Sequence, residues 1–491
     1  MKEVKKLAGQ TLIYGLGTII PRFLHYAVLT PFYTRIFVVK SDYGIITELY
    51  AWMVLLLVIL TYGMETAFFR YSQNKADYDK VYSTTLISLF CTSVIFILIV
   101  NIFIRPVSHF MNYSENRDYI RMFAGIVAID AFSAIPFARL RKENKPVAFS
   151  IIKIINVFIT IGLVLFLLKI APEIYSKNNG WFKKIYDPGY KVGYVFIANL
   201  ISSVITVFLL LPFIVNVKLK FDWKIWNRMI GYGFPLLLAG LSGSINDAID
   251  KVLLRRLLGD HDGLSVVGEY GAAYKIGVLM ALFIQMFRFA AEPFFFERAK
   301  QEDAKKMYAE VMKYFIISML IIYLGLNLYI SGFQLIVGRN YRDAIGVVPI
   351  ISMAYLLYGI YINHSIWYKL NDLTRYAVFI TVIGADITLA INLIFIPVFG
   401  YMASAWAHVA SYLSMLIFSF VFARKHFVVN YELKSLVPYF LIAVGMVIFR
   451  EFVNYRGIIN EIVINSALIA IFIAFAHYRD GILKIFKKSR A

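Results

Sequence analysis

Nine charged side chains lie in or at the ends of long apolar stretches, where a bilayer makes an unpaired charge costly. Three are cations and six are carboxylates: Arg22, Lys153 and Lys275, and Glu48, Glu65, Asp130, Asp247, Asp250 and Glu292. Guanidinium and ammonium groups form strong hydrogen bonds to phosphate, so the cations predict contacts to an anionic substrate. The carboxylates predict ion-pair gates, or uptake of a proton or Na⁺ that couples to movement.

Arg22 follows Pro21, a little past the middle of the first apolar stretch. Proline removes a backbone donor and bends a helix. We therefore predict an anion contact on a bent helix. The alternative is a guanidinium that reaches the external interface.

A spacing that occurs twice places the carboxylates Glu65 and Glu292. In each copy a Tyr-Gly pair precedes a glutamate, and the glutamate follows the glycine by 21 positions. The copies comprise Tyr43-Gly44, Glu65 and Phe68-Phe69, and Tyr270-Gly271, Glu292 and Phe295-Phe296. Each copy predicts a long apolar helix with a carboxylate near its cytoplasmic end. A repeat of this kind is typical of a transporter built from two related halves.

Glu48 and Lys275 are equivalent under this repeat, because each follows the repeated glycine by four residues. Burial of two opposite charges in a low-dielectric environment costs less free energy when the charges are paired. Our hypothesis is that the two meet when the outer side is closed and separate when it opens. The alternative is that each bonds within its own half.

Three further sets of charges allow a functional or a structural interpretation. Asp130 and Lys153 flank a basic turn, at depths that differ by about 4–5 Å, and predict a hairpin ion pair. Glu65 and Glu292, with Arg70, Arg288 and Arg298 nearby, either close the inner side or form interface salt bridges. Asp247 and Asp250, beside Lys251, either bind a coupling ion or belong to an ordinary helix terminus.

The composition requires a bilayer as the solvent of these segments. Hydrophobic residues make up 60% of the 491 positions, charged residues only 16%, and mean hydropathy is +0.70. The net charge of +20 is explained by Lys and Arg in cytoplasmic loops, so no nucleic-acid partner is expected. Cys91 is the single cysteine, which excludes an internal disulfide.

The apolar stretches predict an all-α polytopic membrane protein with about fourteen transmembrane helices. We predict an N-terminal six-helix lobe at 1–217, a cytoplasmic linker at 218–228, a C-terminal six-helix lobe at 229–424, and two additional helices with a basic tail at 425–491. Lys and Arg number 29 on the side of the N-terminus and 15 on the other, which places both termini in the cytoplasm. The predicted spans are 7–33, 43–66, 81–104, 118–138, 147–170, 191–215, 229–250, 268–292, 309–331, 343–366, 376–397, 401–422, 435–452 and 457–477.

No familiar catalytic motif accompanies the spans. The sequence contains no Walker A, Gly-x-Ser-x-Gly or His-Glu-x-x-His pattern, and no long external loop. We therefore expect neither an enzyme nor a cofactor or metal, and ATP-driven transport by this chain alone is unsupported.

Several motifs resemble those of bacterial polysaccharide flippases. They are Pro21-Arg22 with Leu29-Thr30-Pro31-Phe32-Tyr33, Gly63-Met64-Glu65, Ala134-Ile135-Pro136 and Ala290-Ala291-Glu292-Pro293. The chain thereby resembles the multidrug/oligosaccharidyl-lipid/polysaccharide exporter superfamily, in its lipid-linked oligosaccharide flippase branch. The resemblance implies two lobes around a cationic cavity and a bacterial inner-membrane transporter of undecaprenyl-diphosphate-linked oligosaccharide. By matching position, it makes Arg22 a candidate contact to the diphosphate.

Three other functions compete with this interpretation. A drug or metabolite exporter of the same superfamily would share the fold but favour an acidic and aromatic cavity. An integral-membrane polysaccharide polymerase or glycosyltransferase would predict a sizeable external domain. A scaffold without transport would leave the repeated buried charges unexplained.

Overall fold

A computed structural model describes residues 15, 17–74, 76–177, 180–215, 217–299, 301–371, 373–453 and 455–481. The start of the first predicted span, at 7–14, and the basic tail after 481 lie outside these ranges. The described part of the chain is helical and contains no β-strand. Helices are the expected solution, because a bilayer offers no water to satisfy backbone N–H and C=O groups.

The described ranges contain twenty helices, with 3₁₀ turns at Pro188–Tyr190, Gln334–Ile336, Arg339–Tyr341 and Asp343–Val347. The helices are α1 (17–36, with a π-helical turn at His25–Leu29), α2 (Lys40–Thr61), α3 (Met64–Tyr71), α4 (Tyr78–Ile102), α5 (Ile104–Phe110), α6 (Arg117–Lys142), α7 (Pro146–Lys177, with a π-helical turn at Phe166–Ile170), α8 (Phe182–Ile185), α9 (Lys191–Val215), α10 (Trp223–Leu258), α11 (Asp260–Gly277), α12 (Leu279–Arg298), α13 (Ala304–Leu328), α14 (Ile330–Phe333), α15 (Val348–His364), α16 (Ile366–Leu370), α17 (Arg375–Phe399), α18 (Tyr401–His426), α19 (Leu433–Phe452) and α20 (Ile458–Asp480).

The membrane-spanning pattern of the sequence is confirmed. Twelve helical segments in the described ranges are long and apolar enough to cross a bilayer. The two remaining predicted spans correspond to α1 and α10. Helix α10 continues to Leu258, eight residues beyond the predicted end at 250, because Asp250, Lys251 and Arg255 are buried in polar contacts instead of facing solvent.

The chain divides into two compact units. Unit 1 comprises Met1–Gly268 with Asn392–Gly400, and unit 2 comprises Glu269–Ile391 with Tyr401–Ala491. Helix α10 therefore lies in unit 1. The predicted lobes at 1–217 and 229–424 stay a prediction.

Each copy of the repeated spacing is interrupted once, so the expectation of one continuous helix per copy is wrong. In the first copy, Tyr62 and Gly63 adopt left-handed conformations, with φ of 33° and 72°, between α2 and α3. A Cβ on Gly63 would lie 2.4 Å from the carbonyl oxygen of Gly233 in α10, so the junction also needs glycine for space. In the second copy, the interruption is Val278, with φ of −69°, between α11 and α12.

A buried apolar cluster lies next to this first junction. Buried Met64, Phe68, Tyr82 and Ile135 bring α3, α4 and α6 together in one apolar cluster. The Tyr82 hydroxyl donates to the carbonyl of Phe213 over 2.8 Å, which ties α4 to α9. The helices that carry Glu65 and Asp130 are therefore held by a common core.

Candidate functional site

Helix α1 presents Arg22 beside a helix that carries a second predicted cation. A Cβ on Gly17 would lie 2.0 Å from Ser150 Oγ, so α1 and α7 approach closely here. Arg22 lies five residues after Gly17 and Lys153 three residues after Ser150, or about 7.5 Å and 4.5 Å along helices predicted to run in the same direction. The two cations therefore reach similar depths. Arg22 is exposed.

The irregular turn of α1 lies just beyond Pro21. Residues His25–Leu29 form a π-helical turn, and the α-helix resumes at Thr30–Ile36. Proline cannot donate the regular backbone hydrogen bond, and π-turns within α-helices are frequent at functional sites. The predicted irregularity of the first helix is thus present, displaced toward its C-terminal end.

Lys153 lies at the centre of a group of charges in unit 1. Its Nζ is 4.1 Å from the ring centroid of Phe137, and among the described residues it donates no hydrogen bond. It interacts electrostatically with Asp130, Arg141 and Arg22, and more weakly with Glu65. The ammonium therefore has a cation–π contact and nearby charges, but no hydrogen-bond acceptor among the described residues.

Arg141 is the cation that the sequence analysis did not select. It forms a salt bridge with Glu65, and its guanidinium carbon lies 5.1 Å and 5.9 Å from the rings of Phe69 and Phe149. Phe149 packs edge-to-face on Phe137, the ring beneath Lys153, with centroids 5.4 Å apart. The Arg141 Nε is buried without a hydrogen-bond partner in the described structure. Helix α6 extends to Lys142, whereas the predicted span ends at 138. Arg141, which the prediction places in a loop, therefore lies on the helix and faces the bundle.

The predicted Asp130–Lys153 salt bridge is not formed within the described ranges. Asp130 Oδ1 accepts a hydrogen bond of 2.8 Å from Ser203 on α9. The serine satisfies the carboxylate, while the lysine lies over Phe137 instead. The two charges attract each other only at longer range.

The two equivalent carboxylates of the repeat, Glu65 and Glu292, each have a cationic partner on another helix. Glu65 pairs with Arg141, whereas the predicted neighbour Arg70 lies 4.3 Å above the ring of Tyr232. In unit 2, the predicted i−4 pair of Glu292 with Arg288 is confirmed at 3.2 Å. Lys369 on α16 forms a second salt bridge to Glu292, which the sequence analysis missed.

Asp247 and Asp250 have different surroundings on α10. Asp250 is buried and forms a salt bridge of 2.9 Å with Lys251. Asp247 is exposed, and its backbone carbonyl also accepts from Lys251 Nζ over 2.9 Å. Tyr26 on α1 interacts electrostatically with Arg22, Asp247 and Lys251, so these charges lie near the π-helical turn.

Glu48 belongs to a buried network in unit 1. It forms a salt bridge with Arg255 of α10, and the Tyr113 hydroxyl donates to its Oε2 over 2.6 Å. Arg255 also donates to the carbonyl of Asn112 over 2.8 Å and lies 4.3 Å from the Tyr113 ring centroid. Arg255 is not among the predicted site residues, because the predicted span ends at 250, before it. The pairing of Glu48 with Lys275, which lies on α11 in unit 2, stays a prediction.

The described residues contain no group of three or more His, Cys, Asp or Glu side chains arranged to hold a metal ion. What unit 1 does bring together is a set of cations, Arg22, Arg141 and Lys153, next to two aromatic rings and two carboxylates. Such a set is suited to binding an anion with hydrogen-bonding oxygens.

The fold is shared with solved membrane transporters. The chain is similar to lipid II flippase MurJ in an inward closed conformation, with a TM-score of 0.69 and 15% identity, covering 95% of this chain and 99% of that one. An outward-facing multidrug resistance MATE family transporter of the MOP superfamily gives 0.60 and 16%, covering 85% and 95%. A MOP superfamily transporter from Pyrococcus furiosus, described as having reverse polarity of its binding pocket, gives 0.59 and 15%, covering 85% and 95%.

These identities establish the fold alone, and no curated protein matches the sequence. The family is established by the sequence itself, since residues 7–299 match the family described as polysaccharide biosynthesis protein. The chain is therefore a multi-pass membrane protein of the polysaccharide biosynthesis protein family, with the fold of the MOP exporter superfamily.

Proposed function

We propose that this protein is a flippase that moves an undecaprenyl-diphosphate-linked oligosaccharide from the inner to the outer leaflet of the bacterial cytoplasmic membrane, with both termini in the cytoplasm. Family membership in polysaccharide biosynthesis supports the substrate class. A diphosphate cannot cross hydrocarbon unaided, because burial of its charge is prohibitive. A transporter must therefore supply compensating cations along the path.

The observation that carries the proposal is the pair Lys153 and Arg141. In the described structure, the Lys153 ammonium donates no hydrogen bond and the Arg141 Nε has no acceptor. The Arg141 Nε is buried, and buried donors without partners are rare in folded proteins. A diphosphate would provide the missing acceptors, with Arg22 on the adjacent α1 as a third contact.

Movement of the substrate would follow alternating access. We assign Glu65 with Arg141, and Glu292 with Arg288 and Lys369, to contacts that break and re-form during the cycle. Because Arg141 participates in both the Glu65 salt bridge and the proposed anion site, a bound diphosphate would compete with Glu65 for the guanidinium. Substrate binding would thereby weaken an inner contact.

The coupling role of the α10 carboxylates is a further part of the proposal. Asp247 is exposed and is the candidate for uptake of a proton or Na⁺. Asp250 already pairs with Lys251, so an ion at that carboxylate would have to displace the ammonium. Glu48 and Lys275 stay candidates for an outer gate.

A drug or metabolite exporter of the same superfamily is the alternative function. An organic cation requires an accessible carboxylate or aromatic cage. Asp130, Glu65 and Asp250 are engaged by Ser203, Arg141 and Lys251. The exposed Asp247 is the carboxylate that this alternative would use.

Leaflet-resolved labelling of lipid-linked sugar in cells that lack this protein tests the proposal. We expect labelled precursor to accumulate on the cytoplasmic side, and the wild-type gene to restore outer delivery. Lys153→Gln and Arg141→Gln should impair restoration, whereas Arg121→Gln, an exposed arginine of α6 outside the cluster, should not. Unchanged outer delivery in the deletion strain, with no redundant carrier, rejects the flippase assignment.

A further inference from the structure

An apolar groove lies on unit 1, away from the cationic cluster. It has a volume of about 490 Å³, and its walls come from α2, α4, α5 and α6. Most of the wall is aromatic or branched aliphatic and includes Trp52, Leu56, Phe96, Ile99, Phe103 and Phe110. The volume lies within the roughly 300–1,000 Å³ that is typical of small-molecule sites.

The groove opens on the outer surface of the helices that form it. Ile99, Phe103 and Phe110 expose about half or more of their surface. In a membrane protein, such a surface meets acyl chains. Its shape distinguishes it from a plain helix face, because α5 is a short helix that folds back beside α6 and leaves a recess.

One end of the groove carries a cation. Arg256 of α10 donates from Nη2 to the Phe110 carbonyl over 2.7 Å, and its guanidinium carbon lies 4.4 Å and 6.0 Å from the rings of Phe110 and Trp52. A guanidinium has five N–H donors, and in the described structure Arg256 uses one of them and has no carboxylate partner. The side chain is exposed.

Arg256 contrasts with its neighbour in sequence. Arg255 turns inward to Glu48 and is buried, whereas Arg256 turns outward over the aromatic end of the groove. The groove thus combines an apolar channel with an exposed guanidinium at its predicted outer end. An acyl chain fits the apolar channel, and a phosphodiester accepts hydrogen bonds from the guanidinium.

We propose that the groove binds one acyl chain of an anionic phospholipid of the surrounding bilayer, with the lipid phosphate on Arg256. The lipid would bridge α10 and the α4–α6 recess at the outer leaflet. Neither unit 2 nor the transported substrate enters this assignment, so it is independent of the flippase proposal.

Native mass spectrometry of the full-length protein, released from nanodiscs of equal phosphatidylglycerol and phosphatidylcholine, tests the site. Arg256→Gln removes the charge-assisted hydrogen bonds to the lipid phosphate and should reduce retained phosphatidylglycerol about tenfold or more. Ile99→Trp, which fills the groove, should reduce retention as strongly. The matched controls are Arg121→Gln and Ile95→Trp, exposed positions on α6 and α4 outside the groove, and both should retain lipid like the wild type.

Equal retention in all four variants and the wild type overturns the proposal. So does retention of both lipids in equal amounts by the wild type, because the guanidinium would then select nothing. Displacement of phosphatidylglycerol by added undecaprenyl phosphate at equimolar concentration also overturns it, since the occupant would then be the carrier lipid. A loss confined to Arg256→Gln and Ile99→Trp supports it.

Discussion

The two copies of the repeated spacing have different local structures. In the first copy, the helix break at Tyr62-Gly63 depends on left-handed backbone and on close approach to Gly233. In the second, the break at Val278 has ordinary backbone angles and lies only seven residues after the repeated glycine. A shared spacing of charges therefore does not imply a shared position of the bend.

The ion pairs of the two copies differ as well. Glu48 and Arg255 of unit 1 are almost fully buried and have Tyr113 as a third member. Glu292 of unit 2 is one-third exposed and shared between Arg288 and Lys369. Burial removes solvent screening, so the first pair should respond much more strongly to loss of one partner.

The largest effect is expected from Arg255→Met, which leaves the buried Glu48 carboxylate without its cation. Removal of one partner of a buried pair costs about 3–5 kcal/mol. Thermal unfolding in detergent measures this, and Glu48→Met with Arg255→Met should recover much of the loss. Lys369→Met removes one partner of Glu292, a more exposed carboxylate at a different position of the repeat, and should cost at most about 1 kcal/mol. Equal losses for the two single variants would contradict the contrast.

A smaller but clear effect is expected at the junctions. Gly63→Ala places a Cβ in a left-handed conformation, which costs about 1–2 kcal/mol before the steric overlap with Gly233 is added. Val278→Ala in the second copy keeps ordinary backbone angles and should destabilise less. The same unfolding assay compares the two variants. A Gly63→Ala protein as stable as the wild type would show that the first junction does not depend on glycine.

The smallest effect concerns an ion-pair group at the turn after α6. Burial would raise the pKa of the Glu143 carboxyl above its ordinary value of 4.5, but hydrogen bonds from Lys145 and Arg139, the Arg139 charge and a hydrogen bond from Tyr78 outweigh it and lower the pKa. A carboxyl whose pKa is lower in the folded state than in the unfolded state stabilises the fold at pH values above the unfolded-state pKa. This stabilisation is lost as the pH falls through the folded-state pKa.

Glu143→Gln should therefore lower the unfolding temperature near neutral pH. The gap to the wild type should shrink below about pH 4.5 and vanish below the folded pKa. A gap that is constant across this range would show that the carboxylate charge does not stabilise the turn. Arg121→Gln provides a control for the removal of one exposed charge from α6.

The sequence predicted the membrane spans well, because hydropathy directly reports which segments a bilayer accepts. It also predicted the Glu292–Arg288 pair, whose members follow helical spacing. It did not predict Arg141 and Arg255 as partners of Glu65 and Glu48. Both arginines lie near helix ends. There the amino-acid composition does not distinguish a solvent-exposed loop from a buried last turn of the helix.

The junction at Tyr62-Gly63 illustrates the same limit for the backbone. A glycine within an apolar run is compatible with a continuous helix, and its left-handed conformation follows from packing against Gly233, 170 residues away. The Asp130–Lys153 pair failed for a related reason. Spacing along two helices says nothing of Ser203 on a third helix, which donates to the carboxylate.

Transport by the purified protein in vesicles tests the central claim most directly. Flipping of an undecaprenyl-diphosphate oligosaccharide is measured at limiting substrate for the wild type, Lys153→Gln, Lys153→Arg and Arg121→Gln. We expect Lys153→Gln to lose about 10- to 100-fold in transport, Lys153→Arg to retain most of it, and Arg121→Gln to match the wild type. Transport by Lys153→Gln at the wild-type rate would contradict a diphosphate site at this cluster.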